Sequence, residues 1–454
     1  MNRETEAAYR RALDWIHSIG RFGIKPGLQR IEALLSLLGN PHRQLKYVHI
    51  GGTNGKGSVA AMIAAVLQAS GYRTALYTSP YILAFNNRMS INGRDISSSE
   101  LVRLVEMLRP LTEKISGERQ LGPLTEFEVV TALAFSYFSR RKPDIVVLEV
   151  GLGGRLDATN VVTPLVSMIT NISLDHTQVL GKFLGDVARE KAGIIKAGVP
   201  LVTGTTEEEG RRVIESTCRE RWAPLFYALP SEESPPPGVK SAFCTHRQIT
   251  AGGQLLDYEG FALSLKDLHI PLRGRFQVSN AAVALAALEQ LSACGFSFTE
   301  KNIRRGLEKT VWPARLELLR RRPLLILDGA HNPAAMQGLS LSLPEYFSYN
   351  RLILVLGAMA DKDLSMFDYI LPLADTVVLT RPQLPRAAET EKLAAFLENR
   401  FSGRVIVEQE VDRALVTALD LAAAEDAVLV TGSFYTVSEA RASFLNSHFL
   451  KDCQ

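Results

Sequence analysis

Cysteine is scarce: four occur in 454 residues (Cys218, Cys244, Cys294 and Cys453), widely spaced and with no Cys-x-x-Cys pair. That excludes a disulfide scaffold, offers no thiolate zinc site and fits a reducing cytosol. Long apolar runs are missing too. The longest, Val59 to Leu67, is nine residues, about half of the roughly 20 needed to cross a bilayer. The opening stretch, MNRETEAAYRRALDW, carries acidic residues and lacks an apolar h-region, so no secretory signal is expected. Charge of one sign is not in excess either. Lys and Arg number 51 against 48 Asp and Glu, a net +3, too little for electrostatics to select a nucleic acid or an anionic membrane. Any anion site has to be local. No period of 20 to 50 residues marks a solenoid or propeller.

What is present is a folded, cytoplasmic type of chain, 46% apolar and long enough for two or three domains. Short apolar runs lead into helical patterns, at 45–52, 72–79, 143–151, 164–172 and 199–204. Runs apolar at successive positions suit strands buried on both faces, hence an α/β fold with a mostly parallel sheet. A second series at 322–329, 350–358, 375–382, 403–409 and 426–433 predicts a smaller, Rossmann-like α/β domain. Between them, residues 230–260 are rich in Pro, Ser and Gly and read as a loop with short antiparallel edge strands. A helix over 276–295, stopped by Gly295, and another over 299–309 follow. The expected division is a P-loop domain over 1–297, a linker over 298–317 and a C-terminal domain over 318–454.

The strongest local signal is Gly51-Gly52-Thr53-Asn54-Gly55-Lys56-Gly57-Ser58, placed between a strand and a helix over 58–70. Glycines let backbone N–H groups converge on phosphate oxygens, the helix N-terminus adds partial positive charge, and the lysine neutralises β- and γ-phosphates. It is a variant P-loop, because Ile50 stands where the first Walker glycine belongs and Gly57 separates the lysine from the hydroxyl residue. A magnesium ion beside such a nucleotide needs ligands from the carboxyl ends of neighbouring strands. Ser79, Glu149 and His176 stand there. Glu149 could equally cap a helix or pair with Arg155, and His176 could be an ordinary histidine. The loop from Gly151 to Asn160 reads as a polar substrate loop. Lys191, 15 residues past His176, reads as an exposed helix lysine. In the second domain Asp328, His331 and Asn332 follow a strand and either face a cleft or cap the next helix. Arg315 lies in the linker.

Together these motifs resemble the folylpolyglutamate synthase and dihydrofolate synthase family, a branch of the Mur ligase superfamily. The resemblance runs through KPGLQRIEALLSLLGNP (25–41), GTNGKGS (52–58), EVGLGGRLDATN (149–160), ITNISLDHTQVLG (169–181), EKAGIIK (190–196), WPARLE (312–317), DGAHNP (328–333) and GSFYTVSEAR (432–441). It implies ATP-dependent amide formation: a carboxylate is phosphorylated, the amine of L-glutamate attacks the acyl phosphate, and phosphate leaves. It further implies that Asn54, Gly55, Lys56, Gly57 and Ser58 hold ATP, with Asn280, Arg315, Asp328 and His331 on the far side. Ser79, Glu149, His176 and a carbamylated Lys191 would ligate magnesium, two ions in all, with a monovalent cation left open. Lys56, His176 and Lys191 are the residues implied in catalysis. Thr125, Glu126, Phe127, Glu128, Leu156, Asp157 and Ala158 fall where relatives meet the pteridine-bearing substrate. Departures stand in the loop after Ser79, where Tyr81, Asn87 and Met89 replace residues common in relatives. The implied partners are ATP, L-glutamate and a pteroate or folate, bound by a monomer. Two alternatives remain at this stage: a Mur-type ligase acting on a UDP-linked cell-wall precursor, and a nucleotide-dependent switch that forms no amide.

Overall fold

The computed structural model describes residues 3–20, 27–118 and 120–451. Cys453, the first two residues of the chain, and Lys25 and Pro26 of the first family-like stretch lie outside the described residues.

The first five apolar runs form parallel strands at Tyr47–Gly51, Thr74–Tyr77, Ile145–Glu149, Val166–Ile169 and Leu201–Thr203. Tyr47–Gly51 is central, with Val48 opposite Val147 on one side and Val166 on the other. Its neighbours in the sheet explain the unbroken apolar pattern, because successive side chains enter two different cores. Val48, Ile50, Ile145 and Val147 pack with the helices Lys56–Ala69 and Phe276–Ala293. Tyr47, Val146 and Leu148 face the opposite core with Phe135 and Phe138 of the helix Glu126–Arg141.

The sheet grows to eleven strands. The stretch expected as a loop with short antiparallel edge strands does carry antiparallel strands at the sheet edge, longer than expected: Leu225–Pro230 adds a parallel strand, and Ser241–Thr250, Gly253–Glu259 and Ser264–Ile270 continue the sheet, the middle one antiparallel to both of its neighbours. Ala242, Cys244, Leu256 and Tyr258 point inward at spacing two and join the first core, a pattern that the surrounding Pro, Ser and Gly obscure. Helix Glu300–Glu308, read as part of the linker, sends Ile303 and Leu307 into the same core. Gly306 lets it cross closely, since a Cβ there would lie 2.5 Å from Val66 Cα.

The second sheet has six strands in the order Glu317–Arg321, Leu324–Leu327, Ala427–Thr431, Leu352–Leu356, Thr376–Arg381 and Arg404–Glu410. All pairs are parallel except the first, an antiparallel hairpin. The loops at the carboxyl ends of the two sheets meet, Asn54 of one touching Asn332 of the other, which is where open α/β sheets place their ligands. The loop after Ser79 also crosses: Ile82 is buried in the cluster that contains Leu325, Leu327 and Val437.

Candidate active site in the cleft between the sheets

Three glycines shape the phosphate loop for separate reasons. Gly52 (φ +134°) has Thr170 Oγ1 only 1.9 Å from where a Cβ would sit, and Gly55 (φ +83°) has Asn280 Oδ1 at 2.1 Å. Gly57, inside the helix, would meet the Trp312 ring at 2.4 Å. The loop is tied down by Asn171, whose Oδ1 accepts from Asn54 N–H at 3.0 Å and whose Nδ2 donates to the Asn54 carbonyl at 3.1 Å. Thr170 Oγ1 donates to the same carbonyl at 2.6 Å. Lys56 begins the helix, and its Nζ donates back to the carbonyls of Gly52 (3.2 Å) and Thr53 (3.1 Å). Its ammonium therefore lies over the loop where an anion would lie. Ser58 is buried, its Oγ accepting from Gln277 Nε2 at 3.3 Å, and Gln277 Oε1 accepts from Asn280 Nδ2 at 2.8 Å.

Glu149 ends its strand beside this loop. One carboxylate oxygen accepts from Ser79 N–H at 3.1 Å. Burial pushes its pKa up to about 7, against the pull of Lys56, that backbone N–H and Arg315. Arg155 does not pair with it, bonding instead to Glu190 at 2.7 Å. His176 sits in the left-handed region (φ 51°) at the start of the short helix Thr177–Leu180. Burial and neighbouring cations lower its pKa against the pull of Asp175, which favours a neutral imidazole with a free lone pair. Lys191 departs from its expectation as an exposed helix lysine. It is buried, with Nζ donating to the Gly52 carbonyl at 2.8 Å, and burial and Lys56 lower its pKa to about 7. Lys56 thus acts electrostatically on Glu149, His176 and Lys191 alike, which places all four in one neighbourhood. No group of three or more His, Cys, Asp and Glu side chains able to hold a metal occurs among the described residues; the expected set joins two such residues to a serine and a lysine.

The second sheet supplies the far wall. Asp328 is buried and accepts from the N–H groups of Leu316 and Ala330, each at 2.9 Å. Burial raises its pKa while Arg315 opposes the rise. The Arg315 guanidinium lies 4.5 Å from the centre of the Phe434 ring. His331 Nδ1 is 2.8 Å from the Gly329 carbonyl, so that nitrogen carries the proton; burial lowers its pKa to about 4. Neither Asp328 nor His331 caps the following helix. Asn332 does, its Oδ1 accepting from Ala335 N–H at 2.9 Å.

The residues expected at the pteridine split in two. Thr125 and Glu128 form a capping box at the start of Glu126–Arg141, and Glu128 pairs with Arg30 at 3.0 Å. Asp157 is buried and accepts from Leu152 N–H at 2.8 Å and Thr159 N–H at 2.9 Å. Ala158 is buried as well. Their side chains set the loops. Glu126, Phe127 and Leu156 are partly exposed, with Phe127 packed on Gly151 and Glu126 3.9 Å from Arg88. Of the departures after Ser79, Asn87 orders the loop, its Oδ1 accepting from Leu83 N–H (3.1 Å) and Ala84 N–H (2.9 Å). Tyr81 lies under the Arg88 guanidinium at 5.3 Å, and Met89 is buried in the core.

Sequence reasoning passed over Asp175, Lys362 and the bridging role of Asn332. Lys362 Nζ lies 2.6 Å from Asp175 Oδ1, and Asn332 Nδ2 donates to Asp175 Oδ2 at 3.0 Å. The available signal was the acid immediately before His176, which reads locally as a turn residue.

A phosphate loop facing a strand-end carboxylate, closed over by a second α/β sheet, defines an ATP-dependent ligase of the Mur type. Comparison with known proteins agrees: the chain matches the Mur ligase middle domain over residues 50–288 and the Mur ligase glutamate ligase domain over residues 314–434. Within that class the chain belongs to the folylpolyglutamate synthase and dihydrofolate synthase family. It is 37% identical over 445 residues to the dihydrofolate synthase/folylpolyglutamate synthase of Bacillus subtilis, covering 96% of this chain and 98% of that one. Identity to the folylpolyglutamate synthase of Lacticaseibacillus casei is 36%, covering 96% of this chain and 99% of that protein. Among solved structures, Mycobacterium tuberculosis folylpolyglutamate synthase complexed with ADP and AMPPCP superposes with a TM-score of 0.88 at 33% identity, covering 97% and 99% of the two chains. Escherichia coli FolC in complex with DHPP and ADP gives 0.83 at 29% identity, covering 96% and 98%.

Proposed function

We infer that this protein is an ATP-dependent ligase that adds L-glutamate to dihydropteroate, to the γ-carboxylate of reduced folates, or to both. The observation that carries the reading is the placement of Lys56 against buried Glu149 and Lys191 in the cleft between the sheets. A carboxylate is a poor electrophile, and phosphorylation by ATP both removes its charge and supplies a leaving group. The γ-phosphoryl group passes to the acceptor carboxylate, the glutamate amine forms the C–N bond, and phosphate departs. No covalent enzyme intermediate is needed, so the chain contributes positioning and charge stabilisation.

In this reading Asn54, Gly55, Lys56, Gly57 and Ser58 hold the triphosphate through backbone N–H groups, the helix N-terminus and the lysine. Asn280, Arg315, Asp328 and His331 close on the nucleotide from the other side. Ser79, Glu149, His176 and Lys191 would hold magnesium: the hydroxyl and the buried carboxylate, whose pKa burial raises to about 7, are hard oxygen donors, and the imidazole adds one nitrogen donor. Bound there, magnesium supplies charge neutralisation of the phosphate oxygens. Lys191 joins as a carbamate. Its neutral amine attacks carbon dioxide, an N–C bond forms, one proton is released, and a cation becomes an oxygen ligand. Glu126, Phe127 and Leu156 form the acceptor wall, shaped by Thr125, Glu128, Asp157 and Ala158. Residues 1–297 make the ATP-binding unit, 298–317 the connection and 318–454 the glutamate-ligase unit. The protein works as a cytoplasmic monomer on small molecules; no helix of the described residues is long and apolar enough to cross a membrane.

The test is ADP release measured with ATP, L-glutamate and a pteroate or folate acceptor, each omitted in turn. Release that needs all three is expected. Release indifferent to the acceptor overturns the reading, and turnover of a UDP-linked acceptor alone favours the cell-wall ligase instead.

A further inference from the structure

Asp175 belongs to the first sheet's loops, yet its carboxylate is held mainly by the second unit. Oδ1 lies 2.6 Å from Lys362 Nζ, with both side chains only 10% exposed. Oδ2 accepts from Asn332 Nδ2 at 3.0 Å and lies 3.6 Å from His331 Nε2. The same carboxylate turns back on its own chain, Oδ1 accepting from His176 N–H at 2.8 Å. That bond supports the left-handed backbone of His176 (φ 51°, ψ 38°), a conformation unfavourable for a non-glycine residue that persists only where its surroundings fix it.

Asn332 extends the connection to the phosphate loop. Its Nδ2 donates to Asn54 Oδ1 at 3.0 Å while Asn54 Nδ2 donates to Asn332 Oδ1 at 3.2 Å, a reciprocal amide pair across the cleft. Because Asn332 also caps the helix Pro333–Tyr346, its amide is fixed by a rigid element of the second unit. Away from this cluster the units are also joined by Arg275 on Glu345 (2.8 Å) and by Tyr346 OH on Gln254 (2.8 Å).

We propose that Asp175 is a positioning residue, a strut that Lys362 and Asn332 engage when the second unit closes, so that closure sets His176 and the phosphate loop in one movement. The proposal rests on the ligase reading above for its kinetic consequence, though not for its geometry. Energetics favour this role over simple stabilisation. When the units part, Asp175 and Lys362 both regain water, so the pair adds little net driving force. A short charge-assisted bond flanked by fixed amides nonetheless specifies one register.

The test is a double-mutant cycle with Asp175→Asn and Lys362→Met, with Asn332→Ala as a variant that leaves the first unit's sequence intact. Each single variant is expected to lower kcat at least tenfold, with KM for ATP changed less than threefold; the melting midpoint should move little for Asp175→Asn and Lys362→Met and fall modestly for Asn332→Ala, which also loses the cap of Pro333–Tyr346. The double variant should be no slower than the slower single one. Small-angle scattering of the proteins without substrate should give a larger radius of gyration for every variant than for the parent chain. Independent, multiplying losses with an unchanged radius overturn the strut, as do unaltered kcat values. If Asp175→Asn fails to fold, the Lys362→Met and Asn332→Ala arms decide on the same criteria. Expanded variants in a protein that ligates no pteroate or folate would sink the functional reading and keep the strut; normal ligation with no expansion and no coupling would do the reverse.

Discussion

Gly57→Ala sets two effects of opposite sign against each other. Gly57 is the second residue of the helix Lys56–Ala69, and propensity alone credits alanine there with up to about 1 kcal/mol. The space is taken, however: a Cβ would lie 2.4, 2.6 and 2.8 Å from three atoms of the Trp312 ring, where ordinary contact begins at 3.4 Å. The ring has to retreat by about an ångström. It packs against the first core and lies three residues before Arg315, so its retreat also drags the far wall of the cleft. Overpacking of this kind costs roughly 1–3 kcal/mol, leaving a net loss of about 0–2 kcal/mol after the propensity gain. Urea denaturation followed by tryptophan fluorescence, with ATP KM and kcat in parallel, should show lower stability and slower turnover. On a Trp312→Phe background the smaller ring frees the space, and adding Gly57→Ala should then cost nothing or stabilise. A stabilised Gly57→Ala single variant, or equal losses on both backgrounds, would refute the packing argument.

Other outcomes follow from the same geometry. Lys56→Ala should abolish ATP turnover by removing the phosphate loop's own lysine; near-normal turnover would be incompatible with the P-loop role. Lys191→Ala should be slow and partly restored by short carboxylic acids if they replace the oxygen of the proposed carbamate, and a variant as fast as the parent chain would remove Lys191 from the site. His42 and His49 are buried, and burial, reinforced by Arg43 and Lys196, lowers their pKa values to about 4 and about 3. The unfolded chain, with histidines near 6.5, therefore takes up protons first as pH falls. The stability these groups contribute is whole above pH 6.5 and is lost on the way down towards pH 4, about 2 kcal/mol from each by pH 5. Because Glu149, raised to about 7, acts in the opposite sense over this range, the reading is the difference between proteins: the urea midpoint should fall further from pH 7 to 5 in the parent chain than in His49→Gln, and parallel profiles would contradict the assignment.

Much of the architecture was legible because both sheets bury their strands on two faces, and the runs at 45–52 or 426–433 announce this without help from the rest of the chain. The phosphate loop was legible because its signature is contiguous, Gly52 and Gly55 leading straight into Lys56 at the helix start, although the side chains that crowd the two glycines, Thr170 and Asn280, come from distant parts of the chain. Strands Ser241–Thr250 and Gly253–Glu259 were legible as antiparallel edge strands but not in their length, because a period of two is hard to see among turn residues and their inward side chains gain meaning only against Leu268 and Ile270 of the next strand. The burial of Lys191 was hidden for want of any local cue: its partner, the Gly52 carbonyl, is 139 residues away. Helix Glu300–Glu308 shows the same limit, as its place in the first core depends on Val66. Asp175 was invisible as a bridge because Lys362 and Asn332 come from the other sheet.

Mass analysis of products from dihydropteroate and from tetrahydrofolate, each incubated with ATP and L-glutamate, tests most directly whether the cleft joins glutamate to a pteridine-bearing carboxylate at the expense of ATP. Acceptor masses raised by one or more glutamyl units are expected, with one ADP released per amide bond formed. ADP released without any glutamyl product, or products from a UDP-linked acceptor and none from either pteridine, would contradict that chemistry.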